Sequence, residues 1–170
     1  QEKTGKRGVM ISAVDLLKGI AAGSGMKIVH VEGADGGLHT NYEGKAQAAV
    51  RALLDEGYDF AYIHVEAPDE MGHQGSVEKK VRAIEFLDQR LIRIVREAMD
   101  ASGEPYRLLI LPDHPTPIAA RTHTADPVPY LLYDRKRPEN GAESYCERTA
   151  VQSGRWEKNG YHLIEHLFEY

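Results

Sequence analysis

Short apolar runs alternate with segments of helical spacing along most of this chain, and that alternation constrains its fold more than any other feature. The runs are "MKIVHV" at 26–31, "YDFAYIHV" at 58–65, "YRLLILP" at 106–112 and "PVPYLLYD" at 127–134. Their β-branched, aromatic and leucine side chains suit a pleated sheet, and "YRLLILP" has the near-continuous apolarity of a strand buried on both faces. Between them lie helical patterns. Ser12 can cap a helix carrying Ala13, Val14, Leu16, Leu17 and Ile20, with Gly23 and Gly25 as its stop. Thr40 and Glu43 have capping-box spacing and open a second helix to Glu56, ended by Gly57. Ser76 can cap a long helix to about Ala101, with apolar positions at 77, 81, 84, 87, 91, 94/95 and 98. "GYHLIEHLFEY" at 160–170 closes the chain as an amphipathic helix. The alternation predicts an α/β fold: a mostly parallel sheet sandwiched by helices. No internal repeat, low-complexity tract or interdomain linker interrupts it.

In such a sheet, ligands bind beyond the carboxyl ends of the strands, which directs attention to the loops 66–75 and 113–126. The first, within "HVEAPDEMGHQG", sets Asp69 and His73 four apart, with Pro68 and Gly72 expected to break regular structure around them. The second, "DHPTPIAARTHT", holds Asp113, His114 and His123. An Asp-x3-His spacing alone is a weak signal, and an Asp-His dipeptide alone is explained by turn chemistry. Together, at the ends of two strands expected to be neighbours, they predict a metal site. Carboxylate oxygen and imidazole nitrogen without thiolate suit Zn²⁺, Mn²⁺ or a related divalent ion. Counting charge sharpens this, because Asp69 and Asp113 supply only two negative charges against the four positive charges of two divalent ions. Five ligands also cannot fill two complete shells. A two-metal site built here needs a further carboxylate and an anionic nucleophile or substrate.

Composition narrows the classes. Lys and Arg number 21 against 26 Asp and Glu, a net charge of −5, which gives no broad electrostatic footprint for nucleic acid or an anionic membrane. Cys146 is the single cysteine, so no internal disulfide can form and a reducing, cytoplasmic setting is expected. No apolar run approaches the roughly 20 residues that span a bilayer. A start at Gln1 rather than Met leads us to expect a trimmed or excised piece.

"HVEAPDEMGH", "LPDHPTPI" and "RTHTADPVP", in that order, resemble the C-terminal half of the archaeal-type cofactor-independent phosphoglycerate mutases, metalloenzymes of the alkaline phosphatase superfamily. "ISAVDLLKGI" and "TNYEGKA" resemble the same family, so the likeness runs from about residue 8 to the terminal helix. "DHPTP", where other branches commonly carry a glycine after the histidine, points to the archaeal-type branch. The resemblance implies an alkaline-phosphatase-like fold, of which residues 1–170 are the C-terminal portion of a phosphomutase domain. It implies two divalent ions (Mn²⁺, Zn²⁺ or Mg²⁺), one held by Asp69, His73 and His123 and the other by Asp113 and His114. In the family the second ion also takes an Asp from near the N-terminus and the Ser that becomes phosphorylated. Neither motif occurs here, so the nucleophile-bearing portion is expected upstream and no catalytic nucleophile is assigned in this chain. The implied activity interconverts 3-phosphoglycerate and 2-phosphoglycerate through a phosphoserine, without 2,3-bisphosphoglycerate, and the isolated 170 residues are expected to be inactive. The rival readings are another phosphotransferase or phosphatase of the superfamily, such as a phosphopentomutase, and a non-catalytic module that binds metal or a partner.

Other residues carry less. Arg121, two before His123, is the candidate for binding a substrate anion, whereas Lys6 and Arg7 read as flexible solvated charge. His162 and His166 lie four apart on the last helix, where packing or a solvated face explains them better than metal. His64 reads as a hydrogen-bonded histidine behind the site, and Cys146 as a small semi-buried side chain rather than a nucleophile. Nothing in the sequence speaks to oligomeric state.

Overall fold

The computed structural model describes residues 5–168. Its chain forms two compact units, the first of Gln1–Gly103 and Thr116–Thr122, the second of Glu104–Pro115 and His123–Tyr170.

The first unit is built on strand β1 (Gly8–Ile11), every residue of which is buried. It is followed by helix α1 (Asp15–Gly23), strand β2 (Lys27–Ile28), helix α2 (Tyr42–Leu54) and strand β3 (Phe60–Ile63). The strand order is β2-β1-β3, and β1 runs parallel to both neighbours with Val9 opposite Lys27 and opposite Ala61. A central parallel strand has both faces covered and so reads as an unbroken apolar run, which "GVMI" is. The four residues were too few to separate from the helical pattern that follows them. On one face Val9 and Ile11 pack with Ala48, Ala49 and Ala52 of α2, and Val29, Val31, Tyr58, Ala61 and Ile63 extend that cluster. The small alanines let α2 lie close against the sheet.

After β3 come helix α3 (Ala67–His73), helix α4 (Val77–Leu87), a π-helical stretch at Asp88–Ile92 and helix α5 (Arg93–Ser102), ended by Gly103 in the left-handed conformation at φ 75°. The last three form the long helix expected from Ser76, whose hydroxyl accepts from the Lys79 N–H at 3.4 Å. Within it Arg90 reaches back to α2, donating to both carboxylate oxygens of Glu43 at 2.6 and 3.0 Å.

The second unit contains strands β4 (Arg107–Ile110) and β5 (Leu131–Asp134), helix α6 (Glu147–Gln152), a 3₁₀ turn at Gly160–His162 and helix α7 (Leu163–Phe168). β4 and β5 pair antiparallel with Arg107 opposite Asp134. Those two residues are ion-paired at 2.9 Å, and Arg107 also donates to the His166 carbonyl at 3.1 Å. The terminal helix is present from 163, and its expected last positions, 169 and 170, lie outside the described residues.

The α/β expectation therefore holds, with a parallel sheet flanked by helices, but several details differ. Within the first unit the neighbour of β3 is β1, and within the second that of β4 is β5. An apolar run returns after β4 and offers it an antiparallel partner, which the charge pair at Arg107 and Asp134 holds in register. No residue of β4 is fully buried, and Leu111 beyond it is 42 % exposed, against the reading of burial on both faces. "MKIVHV" supplies only a two-residue strand. Ser12 does not cap α1. It accepts from the Val14 N–H at 3.0 Å in a turn before the helix. Thr40 does not cap α2 either. Asn41 takes that role by accepting from the Gly44 N–H at 2.8 Å, while the Thr40 hydroxyl accepts from the Asp35 N–H at 3.0 Å.

Candidate metal centre

The carboxyl ends of β1 and β3 lead directly into the site residues of the first unit. His64 follows β3 and its N–H continues the ladder to the Ile11 carbonyl at 2.9 Å. Its ring Nδ1 lies 3.5 Å from the Ser12 hydroxyl, at the outer limit of a hydrogen bond. That fits the hydrogen-bonded histidine expected at this position.

Two residues later the chain turns into α3, which corrects the expectation that Pro68 and Gly72 leave this segment irregular. Proline is tolerated in a first helical turn, where its missing N–H has no partner to lose, and Pro68 sits there. Glu66 starts the helix with its carbonyl, which accepts from Asp69 and Glu70 N–H groups at 2.8 and 3.0 Å. Asp69 and His73 are thus one helical turn apart on the same face.

Their hydrogen bonds dispose them as ligands. The Thr116 hydroxyl donates to Asp69 Oδ1. His73 Nδ1 lies 3.0 Å from the Arg121 carbonyl, and since a carbonyl only accepts, Nδ1 carries the proton. In the neutral ring, the form that binds a metal, Nε2 is then the lone-pair nitrogen, and it lies 3.3 Å from Asp69 Oδ2. Two ligand atoms on one ion of this class, each roughly 2.1 Å from it, stand about 3 Å apart. A histidine whose second nitrogen is anchored to a backbone carbonyl is also the usual arrangement behind a metal ligand. Donor type, tautomer and spacing all fit a divalent ion.

The segment 116–122 that supplies these anchors is tightly seated in the first unit. The Thr116 carbonyl accepts from Lys80 Nζ at 2.6 Å, and the Arg121 N–H closes a turn onto the Pro117 carbonyl at 2.9 Å. Arg121 holds the left-handed conformation at φ 52°, rare for a side chain of its kind. Its guanidinium end lies against Gly75, where an added Cβ would displace it. Gly72 likewise permits the closest approach, since a Cβ there would stand 2.5 Å from the Thr116 carbonyl oxygen.

In the second unit, Asp113 and His114 follow β4. The His114 N–H donates to Asp113 Oδ1 at 3.1 Å, and Asp113 Oδ2 lies 3.4 Å from His114 Nε2. The His114 and His123 rings stack with centroids 3.6 Å apart, and a ring nitrogen of each lies within 4.8 Å of the other.

The structure thus brings Asp69 to His73, and Asp113 and His123 to His114. Arg7 is not the flexible charge expected: its N–H donates to Asp59 at 2.8 Å, and its guanidinium bonds the Gly57 carbonyl and lies over Tyr58. These contacts stand at the amino ends of the strands, away from the site. His162 and His166 flank the Glu157 carboxylate at 3.6 and 3.7 Å, in line with a packing and ion-pair role. Sequence reasoning missed Thr116, although "DHPTPI" placed it three residues after Asp113, and it missed Lys45, a charge at a core position of the α2 pattern.

Comparisons with known proteins find relatives over most of the chain. A curated 2,3-bisphosphoglycerate-independent phosphoglycerate mutase of Methanosarcina mazei is 48% identical over 150 residues, which is 88% of this chain and 37% of the relative. One named as a probable enzyme of that kind, from Geobacter sulfurreducens, is 45% identical over 169 residues, covering 99% of this chain and 42% of the relative. This chain therefore spans about two fifths of the length of these relatives. A solved structure from Pyrococcus horikoshii superposes on 98% of the chain with a TM-score of 0.82 at 28% identity, and on 49% of that protein. The model of the metalloenzyme superfamily matches residues 1–158. With that match over nearly its whole length and metal-ligand chemistry at the strand ends, the chain belongs to the metalloenzyme superfamily.

Proposed function

We propose that this chain carries five metal ligands of a cofactor-independent phosphoglycerate mutase, acting with the further sequence that its relatives possess. Asp69, His73 and His123 hold one divalent ion, and Asp113 with His114 hold a second. The observation that carries the reading is the Asp69–His73 pair, with the His73 tautomer fixed by the Arg121 carbonyl. The names and identities of the relatives support phosphoglycerate as the substrate. When bound, such ions stabilise the attacking and departing oxygens of a phosphoryl transfer.

What these residues do themselves is narrower. Asp69 and Asp113 supply negative charge, the histidines supply neutral nitrogen, and Thr116 holds the Asp69 carboxylate in one orientation. Arg121 is suited to a substrate phosphate or carboxylate by its charge and exposure. The serine nucleophile lies in the sequence the relatives have beyond this span. Mn²⁺, Zn²⁺ and Mg²⁺ all suit the donor set, and one cysteine in the chain fits the cytoplasm.

Conversion of 3-phosphoglycerate to 2-phosphoglycerate, coupled to enolase, tests the proposal. The 170-residue chain with Mn²⁺ should show no turnover. A full-length parent should be active without 2,3-bisphosphoglycerate, and its Asp113→Asn variant should be inactive. Turnover by the 170 residues alone would place a nucleophile in this chain. A parent inactive on phosphoglycerate but active on another phosphate ester would move the assignment to the rival phosphotransferases.

A further inference from the structure

Lys45 lies on the face of α2 that packs against the sheet, in a row with Tyr42, Ala46, Ala49 and Ala52, and it is 0 % exposed. A buried ammonium is costly unless it is bonded and its charge is countered. Here Nζ donates to the His64 carbonyl at 3.0 Å, and the carboxylates of Glu66 and Asp35 act on its charge. Burial still outweighs them and holds Lys45 below the ordinary lysine range. A methionine or alanine would fill this place with no desolvation penalty, so packing does not explain the residue.

The position of its acceptor does. The His64 N–H is tied to the Ile11 carbonyl and the His64 carbonyl to Lys45, so both backbone polar groups of this residue are pinned. Three residues on, α3 begins, and Asp69 lies in its first turn. Glu66, whose carbonyl starts that helix, also has its carboxylate in the field of Lys45, close against Gly36. Lys45 thereby grips the connection between β3 and α3 at its start and acts electrostatically at its end.

We propose that Lys45 is a positioning residue, which sets the direction in which α3 leaves the sheet and so holds Asp69 and His73 in ligand geometry. This rests on the reading of those two residues as metal ligands. Groups that support a ligand from behind typically contribute ten- to a hundredfold in metal affinity.

The test uses Lys45→Met, which keeps length and volume but removes the ammonium. Amide hydrogen exchange on the metal-free chain reads the helix directly, and Mn²⁺ titration with the visible spectrum of the Co²⁺ form reads the ligands. Exchange at 66–73 should quicken at least about tenfold while β1 stays protected, and Mn²⁺ affinity should fall at least about tenfold with a changed Co²⁺ spectrum. Ala52→Gly, which weakens α2 without touching His64, should leave the affinity unaltered. If Lys45→Met does not fold, Lys45→Gln replaces it in the same measurements. Unchanged exchange at 66–73 overturns the proposal, and so does quickened exchange with wild-type affinity. Should the wild-type chain bind neither ion, the ligand reading falls, while the exchange comparison still decides what Lys45 does.

Discussion

Replacing Gly72 with alanine tests whether α3 and the segment carrying Thr116 are locked as the structure describes. In an exposed helix this change stabilises by about 0.5–1 kcal/mol, because alanine loses less backbone entropy. Here the added Cβ would stand 2.5 Å from the Thr116 carbonyl oxygen, about 0.9 Å inside the 3.4 Å where ordinary contact begins. Lys80 Nζ, at 2.9 Å from the same point, can swing away. The carbonyl is backbone and moves only if 115–117 moves with it. That shift would strain the bonds from Thr116 to Asp69 and from Lys80 to Thr116. Overpacking of this kind costs about 1–3 kcal/mol, and each hydrogen bond weakened adds up to about 1 kcal/mol. After subtracting the helical gain, Gly72→Ala should destabilise the first unit by roughly 1–3 kcal/mol. Trp156 lies in the second unit, so urea unfolding should be followed by far-UV circular dichroism with hydrogen exchange at α3, not by tryptophan fluorescence. The variant should also bind Mn²⁺ more weakly than wild type. A variant as stable as the wild type would refute the close approach and the locking argument with it.

Other expectations follow from the charges. Hydrogen bonding from Arg90 holds the Glu43 carboxyl below its ordinary range. A depressed carboxylate contributes stability above its unfolded pKa, and the contribution is lost as pH falls through the folded value. Both side chains are over a third exposed, so a Glu43→Ala, Arg90→Ala double-mutant cycle should give only about 0.5–1 kcal/mol at pH 7. Equal coupling at pH 2 and pH 7 would contradict the ion pair. Cys146 is lowered to about 7, chiefly by hydrogen bonding from Thr149. Its iodoacetamide reaction should therefore rise through a midpoint near that pH, and Thr149→Ala should move the midpoint up. Metal affinity should be weaker in acid, because a protonated ring cannot bind. Calorimetric titration at pH 7.5 and 5.5 checks this, and a His123→Ala chain with undiminished affinity would remove His123 from the ligand set.

Much of this protein was legible one residue at a time. Apolar runs, caps and glycine stops set the alternation of strands and helices, since those signals act over a few neighbours in sequence. The motifs around Asp69, Asp113 and His123 offered donors of metal-ligand type for the same reason: donor type belongs to the side chain itself. β1 escaped because four apolar residues beside a helix carry too little periodicity, although their burial makes them the centre of the sheet. The helical form of 67–73 escaped because Pro68 and Gly72 break helices only when they fall inside one. Here proline sits in the first turn and glycine in the last. Pairing of β4 with β5 was likewise a matter of which partner strand the chain brings back, and local pattern says nothing of that. Tertiary structure alone decided that Thr116 holds Asp69, that the Arg121 carbonyl fixes the His73 tautomer, and that Lys45 bonds the His64 carbonyl. Each joins residues 19 to 48 positions apart. The sequence chooses which groups can bind a metal, but their orientation depends on hydrogen bonds that exist only once distant segments have packed.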